Sequence, residues 1–198
     1  MSDERRGQLF GLAAAEFAAH GFALASLNRI ISGAGMSKSS FYHYFENKSD
    51  LFRQTLEQTL APYLEGIETF DFDVMTPEKF WSRLQAMTDE GARMAEEKPL
   101  FLDVGRMFYR ALGTPEEAAL TGNIQKIATG WTSGMIQRGQ ALGLVRDNLP
   151  ESLLMDAVMA MAMATDRWFL KNWDGMDTSA RTELSARTFD LFRRLLER

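Results

Sequence analysis

Within one short stretch, Lys38, Ser39, Ser40, Tyr42 and His43 bring together an ammonium, two hydroxyls, a phenol and an imidazole. Such groups donate and accept hydrogen bonds at base edges and at phosphate oxygens. Catalysis would need more than this. The chain has no Cys and only two histidines, His20 and His43, so disulfides, thiolate metal sites and Cys nucleophiles are excluded, and no nucleophile or metal constellation is recognisable. Glu16 and His20 stand one helical turn apart, the spacing of a metal pair, but no further ligand accompanies them and a solvated surface pair explains them better.

The elements that must position the donor-rich stretch can be read around it. Leu27, Ile30, Ile31 and Ala34 fall at helical spacing, and Gly33 and Gly35 then permit a sharp change of direction. Ser37 is a cap for a new helix, in which Phe41, Tyr44 and Phe45 are expected to form a buried stripe. That orientation turns Lys38, Ser39, Tyr42 and His43 outward. A short helix packed by aromatics on one side, with small, basic and hydrogen-bonding residues on the other, suits a recognition helix in the DNA major groove. Asn47 caps the next helix, with Asp50 three residues on and Leu51, Phe52 and Leu56 turned inward. Lys48 lies in its first turn, where a cation is unfavourable; a bound phosphate would offset that cost, and a merely solvated charge is the plainer alternative.

The segment GAGMSKSSFYHYFENKSDLF resembles the turn and recognition helix of the TetR family of one-component transcriptional regulators, which carry a Gly, a Ser-Lys pair, a bulky apolar residue, Tyr-x-x-Phe and Asn/Ser-Lys-x-x-Leu in this order. The likeness covers about residues 9 to 56, and RGQALGLVRDNLPESLL resembles the joint between that family's seventh and eighth helices. The resemblance implies an all-α fold of about nine helices: a three-helix helix-turn-helix DNA-binding domain over 1–46, then a helical bundle for ligand binding and dimerisation over 47–198. It also implies that Tyr42 and Lys48 grip the DNA backbone. Ser26 would join them there, or serve only as the cap of its helix. Lys38, Ser39, Ser40 and His43 are the candidates for base-edge readout, although Ser40 could instead be buried under the helix start.

Composition sets the outer bounds. The chain has 198 residues, 45% of them apolar and 25% charged, as in a soluble globular protein, and MSDERRGQLFGLAAAEF lacks a signal peptide's apolar core, so a cytoplasmic location is expected. The richest apolar run, Leu153 to Ala164, is interrupted by Asp156 and is too short to span a bilayer. Net charge is −5. Residues 1–50 hold five basic and five acidic side chains, so the whole excess lies beyond residue 50 and the DNA-binding part is neutral rather than basic. GAGMSK has the glycines of a phosphate loop, but no strand precedes it and the spacing fits neither nucleotide fingerprint. No cofactor and no metal is expected.

Along the chain, a first helix is predicted over 5–20, with Leu9, Ala13 and Phe17 aligned and Gly21 as its left-handed stop. Pro62 should kink or end the helix that begins at Asn47, whose tilt is a candidate carrier of a ligand signal. FDFDV alternates like a strand but reads as loop before Thr76-Pro77, where a helix to about Glu96 is expected. Further helices are predicted from Pro99 to about Leu112, from Thr114-Pro115-Glu116-Glu117 to about Ala141 with a stop at Gly143, from Pro150 through Trp173, and from Thr178 onward.

The part after residue 80 is rich in Met and aromatic side chains, suited to a cavity for apolar ligands, although most of them must be core. Met87, Met94, Arg106, Tyr109, Trp131, Met135, Met163 and Asp166 are the pocket candidates. Asp103, Arg106 and Arg110 on one helix and Asp166 and Arg167 on another fit a structural ion pair as well as ligand recognition. Apolar residues on more than one face of the Pro150 helix point to self-association through the last two helices. The expectation is a homodimeric repressor that leaves a pseudo-palindromic double-stranded DNA operator when a lipophilic or aromatic small molecule binds, with no membrane partner. A helical small-molecule carrier is the alternative; it leaves residues 37–48 unexplained.

Overall fold

The computed structural model describes residues 1–113 and 117–198 in full and residues 115 and 116 by their backbone alone. It is all-α: α1 Asp3–Leu24, α2 Leu27–Gly33, α3 Lys38–Tyr42, α4 Lys48–Glu68, α5 Phe80–Glu97, α6 Pro99–Ala111, α7 Pro115–Ala118, α8 Gly122–Ala141, α9 Glu151–Asn172 and α10 Thr178–Leu196. Among the described residues the one β-type pairing is an isolated bridge between Val145 and Glu197. By their internal contacts the helices fall into two compact units, residues 1–62 with 98–124 and residues 63–97 with 125–198.

In the first unit the α1 stripe of Leu9, Phe10, Ala13, Ala14 and Phe17 is buried, as its spacing requires. Phe17 meets Phe52 edge to face at 5.0 Å, and Phe10 meets Phe45 at 6.3 Å. Helix α6 packs on α1 and buries Leu102, Val104, Met107 and Ala111. The second unit closes around Met75, Phe80, Leu84, Met135, Ile136, Val145, Leu154, Val158 and Leu196. Val145 lies so close to Gly139 that a Cβ there would collide with it.

Several boundaries differ from the sequence expectation, each for a local reason. Helix α1 starts earlier, with Ser2 accepting from the Arg5 amide at 3.4 Å, and it does not stop at Gly21. Gly21 has the expected positive φ of 73°, but its ψ of 167° is extended and one more turn follows to Leu24. Pro62 sits inside α4 without ending it, the helix running on to Glu68; Leu60 and Leu64, on either side, are buried and their packing outweighs the missing backbone bond. Residues 77–79 form a turn closed by the Lys79 amide on Thr76, so α5 begins only at Phe80. The single helix expected across 114–141 is divided: α7, a 3-10 turn at Ala119–Thr121, then α8. Thr121 donates to the Ala118 carbonyl at 2.7 Å and tightens that turn. Thr114, the cap proposed for this segment, lies outside the described residues, as do the side chains of 115 and 116. The FDFDV segment is a loop, with the Asp73 amide on Asp71 at 2.8 Å.

Candidate nucleic-acid interface

Helix α2 is seven residues long and α3 only five, lengths at which a helix in water does not hold itself together. Capping supplies what propagation cannot. Ser26 accepts from the Arg29 amide at 3.3 Å, Ser37 from the Ser40 amide at 3.0 Å, and Asn47 from the Asp50 amide at 2.9 Å. Asp50 answers by accepting from the Glu46 amide at 3.1 Å, a capping box displaced by one residue. Between α2 and α3 the chain turns at Gly35, whose φ of 60° suits glycine, while Met36 and Ala34 are buried beneath the turn.

This framework sets the α3 side chains apart by face. Phe41 is fully buried and stacks on Phe45 at 5.1 Å. Lys38, Ser39, Tyr42 and His43 are exposed, and Ser40 is half-buried. Tyr42 keeps 57% of its surface accessible although one edge of its ring meets Phe41 at 5.2 Å between centroids, so its outer side and hydroxyl face solvent. The Lys38 ammonium enters no hydrogen bond or ion pair among the described residues.

Tyr44 departs from the expected buried stripe. It is 39% exposed, its ring lies edge-on to His43 at 4.9 Å, and its hydroxyl accepts from the amino group of Met1 at 3.0 Å. The regular helix ends at Tyr42, so three residues beyond Phe41 no longer returns the chain to the buried face; Phe45 takes that place.

Lys48 is neither free nor simply solvated. Its ammonium donates to the carbonyls of Ala23 and Ala25, both at 3.2 Å, and stands 4.7 Å from the centre of the Phe22 ring. These carbonyls, at the end of α1 and just beyond it, therefore offset the cost of a cation at a helix start, and one of the three N–H groups of Lys48 is left over.

Two ties in this unit carried no sequence signal. Glu16 accepts from the Ser26 amide at 2.7 Å and from the Arg29 Nε at 3.1 Å, joining α1 to the start of α2. The Arg29 guanidinium, aided by the Ser26 amide, holds the Glu16 carboxyl below the usual carboxylate range against the opposing effect of burial. His20 stands 3.8 Å from the same carboxylate. Arg5 donates to the Gly35 carbonyl at 3.1 Å, across the turn itself. Each tie spans residues far apart in the chain, where no periodicity can announce it.

The pocket candidates are distributed over both units. Arg106 and Tyr109 belong to the first, where Arg106 pairs with Asp103 at 3.1 Å on the same helix; Met87, Met94, Trp131, Met135, Met163 and Asp166 belong to the second. Met135 is wholly buried in the core and Met94 nearly so. Trp131 packs against Phe70 and Phe72, and its buried indole N–H has no hydrogen-bond partner among the described residues. A groove of about 690 Å³ in the second unit, floored by Trp81, Leu144 and Phe189, includes none of these candidates. No cluster of three or more His, Asp or Glu suited to a metal occurs among the described residues.

Residues 9–55 match the family model of the bacterial regulatory proteins, tetR family. The HTH-type transcriptional repressor SCO4008 of Streptomyces coelicolor is 28% identical over 158 residues, 79% of this chain and 76% of that protein. Among solved structures, the transcriptional regulator FadR of Bacillus subtilis, in complex with stearoyl-CoA, superposes with a TM-score of 0.73 at 18% identity, covering 94% of this chain and 97% of that one. SmeT, the repressor of the Stenotrophomonas maltophilia multidrug efflux pump SmeDEF, gives 0.71 at 19% identity over 98% and 90% of the two chains. At these identities the two structures establish a shared fold.

Proposed function

Because the chain belongs to the TetR family of bacterial regulatory proteins, we propose that the exposed side of α3 reads a DNA operator and that a small molecule releases it. The observation that carries this reading is the division of α3: Phe41 locked in the core, Lys38, Ser39, Tyr42 and His43 turned to solvent. Lys38, Ser39, Ser40 and His43 meet base edges in the major groove, while Tyr42, Lys48 and Ser26 hold the phosphates. The bonds already made leave donors for this. Ser26 accepts from Arg29 through its oxygen and keeps its O–H, and Lys48 keeps its third N–H.

A neutral reading head makes pairing valuable, because two heads share the electrostatic work. On α9, Leu153, Ala160, Ala164 and Trp168 lie on one exposed stripe, and Leu191 is 60% exposed on α10. We assign these helices to a homodimer that spaces two heads for successive major grooves, roughly 34 Å or somewhat more apart. Functionally, residues 1–46 then read DNA and 47–198 bind the effector and the second subunit. The effector is lipophilic or aromatic; FadR and SmeT carry, respectively, a bound acyl-CoA and a role in drug-efflux control, and the Met and Trp content of the second unit suits such ligands. Relatives act as regulators rather than enzymes. No helix among the described residues is long and apolar enough to cross a membrane. A regulator that meets its operator acts in the cytoplasm, where the DNA is.

Selecting a preferred duplex from random DNA and then screening apolar compounds for its release tests the whole reading. A dimer bound to a two-fold symmetric sequence, with affinity falling steeply as salt rises, is the expected result. A monomer that selects no sequence even at low ionic strength would falsify it.

A further inference from the structure

The break at Gly21 is held by side chains that lie far outside the matched residues 9–55. A positive φ with an extended ψ turns the chain off the helix axis, so the carbonyls before Gly21 and the amides after it need partners from elsewhere. Arg110 of α6 donates from one nitrogen, Nη1, to the carbonyls of both Ala18 and Ala19 at 2.9 Å. Glu117 of α7 accepts from the Ala23 amide at 3.3 Å. In an uninterrupted helix the Ala23 amide would bond the Ala19 carbonyl. Here an arginine takes one end of that pair and a glutamate takes the other. Glycine suits position 21 twice over: the φ is positive, and a Cβ would stand 3.0 Å from Arg110 Nε.

Beyond the joint lies the reading head. The chain continues within a few residues to Ser26, the cap of α2, and Lys48 grips the carbonyls of Ala23 and Ala25 inside the same joint. We infer that Arg110 and Glu117 are positioning residues for DNA recognition: by fixing the backbone on either side of Gly21, at Ala18 and Ala19 and at Ala23, they set the angle at which α2 and α3 leave α1. Neither is assigned a contact with DNA. They act through Ser26 and Lys48, whose placement relative to the phosphates depends on that angle. The inference rests on the operator reading proposed above.

The test uses the full chain and the duplex that the wild type selects, with Kd measured by fluorescence anisotropy at fixed salt. Arg110→Met, which keeps the apolar stem, is expected to weaken operator binding about tenfold, and Glu117→Ala about threefold, on the scale of one lost charge-assisted bond at an accessible site. Glu117→Gln keeps an acceptor for the Ala23 amide and recovers most of the loss. Affinity for a scrambled duplex falls less, because phosphate contacts tolerate a tilted head better than base contacts do. Hydrogen exchange at the Ala23 amide accelerates in Glu117→Ala and not in Glu117→Gln. If the variants melt earlier but bind operator as tightly as the wild type, the two residues serve the fold alone and the inference fails. Should Arg110→Met not fold, the Ala and Gln variants at 117 decide by themselves. A wild-type chain that selects no duplex overturns the operator reading, a different result from variants that match a binding wild type.

Discussion

The two compact units reach order by different means. In the first, helices of seven and five residues cannot bury enough surface to stand alone, and side chains from other elements hold their ends: Glu16 on the Ser26 amide, Lys48 on Ala23 and Ala25, Arg5 on Gly35. In the second, helices of 18 to 22 residues meet across a continuous apolar core, and polar ties serve mainly the connections. Arg138 donates to the carbonyls of Asp73 and Met75, and Arg146 to those of Arg194 and Glu197. Small losses of hydrogen bonding should therefore disturb what the first unit does, whereas loss of apolar volume should disturb whether the second unit folds.

The largest effect expected from this contrast is Phe80→Ala. The ring is fully buried at the centre of the second core, so the truncation should cost about 3–5 kcal/mol in urea unfolding. A cost below about 1 kcal/mol would mean the core does not depend on it. Next come the reading residues, whose substitution should leave urea midpoints almost unchanged. Tyr42→Ala should weaken binding to every duplex alike, and Lys38→Ala should also relax sequence preference, by about 1–3 kcal/mol at a bidentate contact. An unaltered preferred sequence in Lys38→Ala would remove that residue from readout.

Ser26→Ala removes an N-cap and should cost about 1 kcal/mol of stability, with operator affinity lowered as well if its hydroxyl also meets a phosphate. Stability loss without affinity loss would reduce Ser26 to a cap. The smallest effect concerns acid. Glu16 is held ionised by Arg29 and the Ser26 amide, so its folded pKa lies below its unfolded one. The stability it lends is present above the unfolded value, about 4.3, and is lost as pH falls through the lower folded value. Replacing Glu16 by Gln should flatten that limb of a pH–stability curve, and an unchanged limb would show the pair contributes nothing measurable.

Tyr44 marks where sequence reading reached its limit in the head. Its spacing from Phe41 is helical, and only the end of α3 at Tyr42 moves it to the surface. Pro62 is a second case: its ring forecasts a kink or an end, yet α4 continues because Leu60 and Leu64 are buried on either side. Lys48 is a third. Its awkward place at a helix start was legible, but the carbonyls that accept from it lie 23 and 25 residues away.

From its residues alone this chain declares an all-α fold, the capped helices around Ser26, Ser37 and Asn47, and an α3 whose outer face carries Lys38, Ser39, Tyr42 and His43. Those features depend on neighbours three or four residues apart, and periodicity with cap chemistry reports such neighbours faithfully. The joint at Gly21 is different: Arg110 and Glu117 meet Ala18, Ala19 and Ala23 across more than ninety residues of chain. Exposed charged side chains look alike in sequence whether they face water or a broken helix, and only folding brings the orphaned carbonyls and amide within reach of their partners.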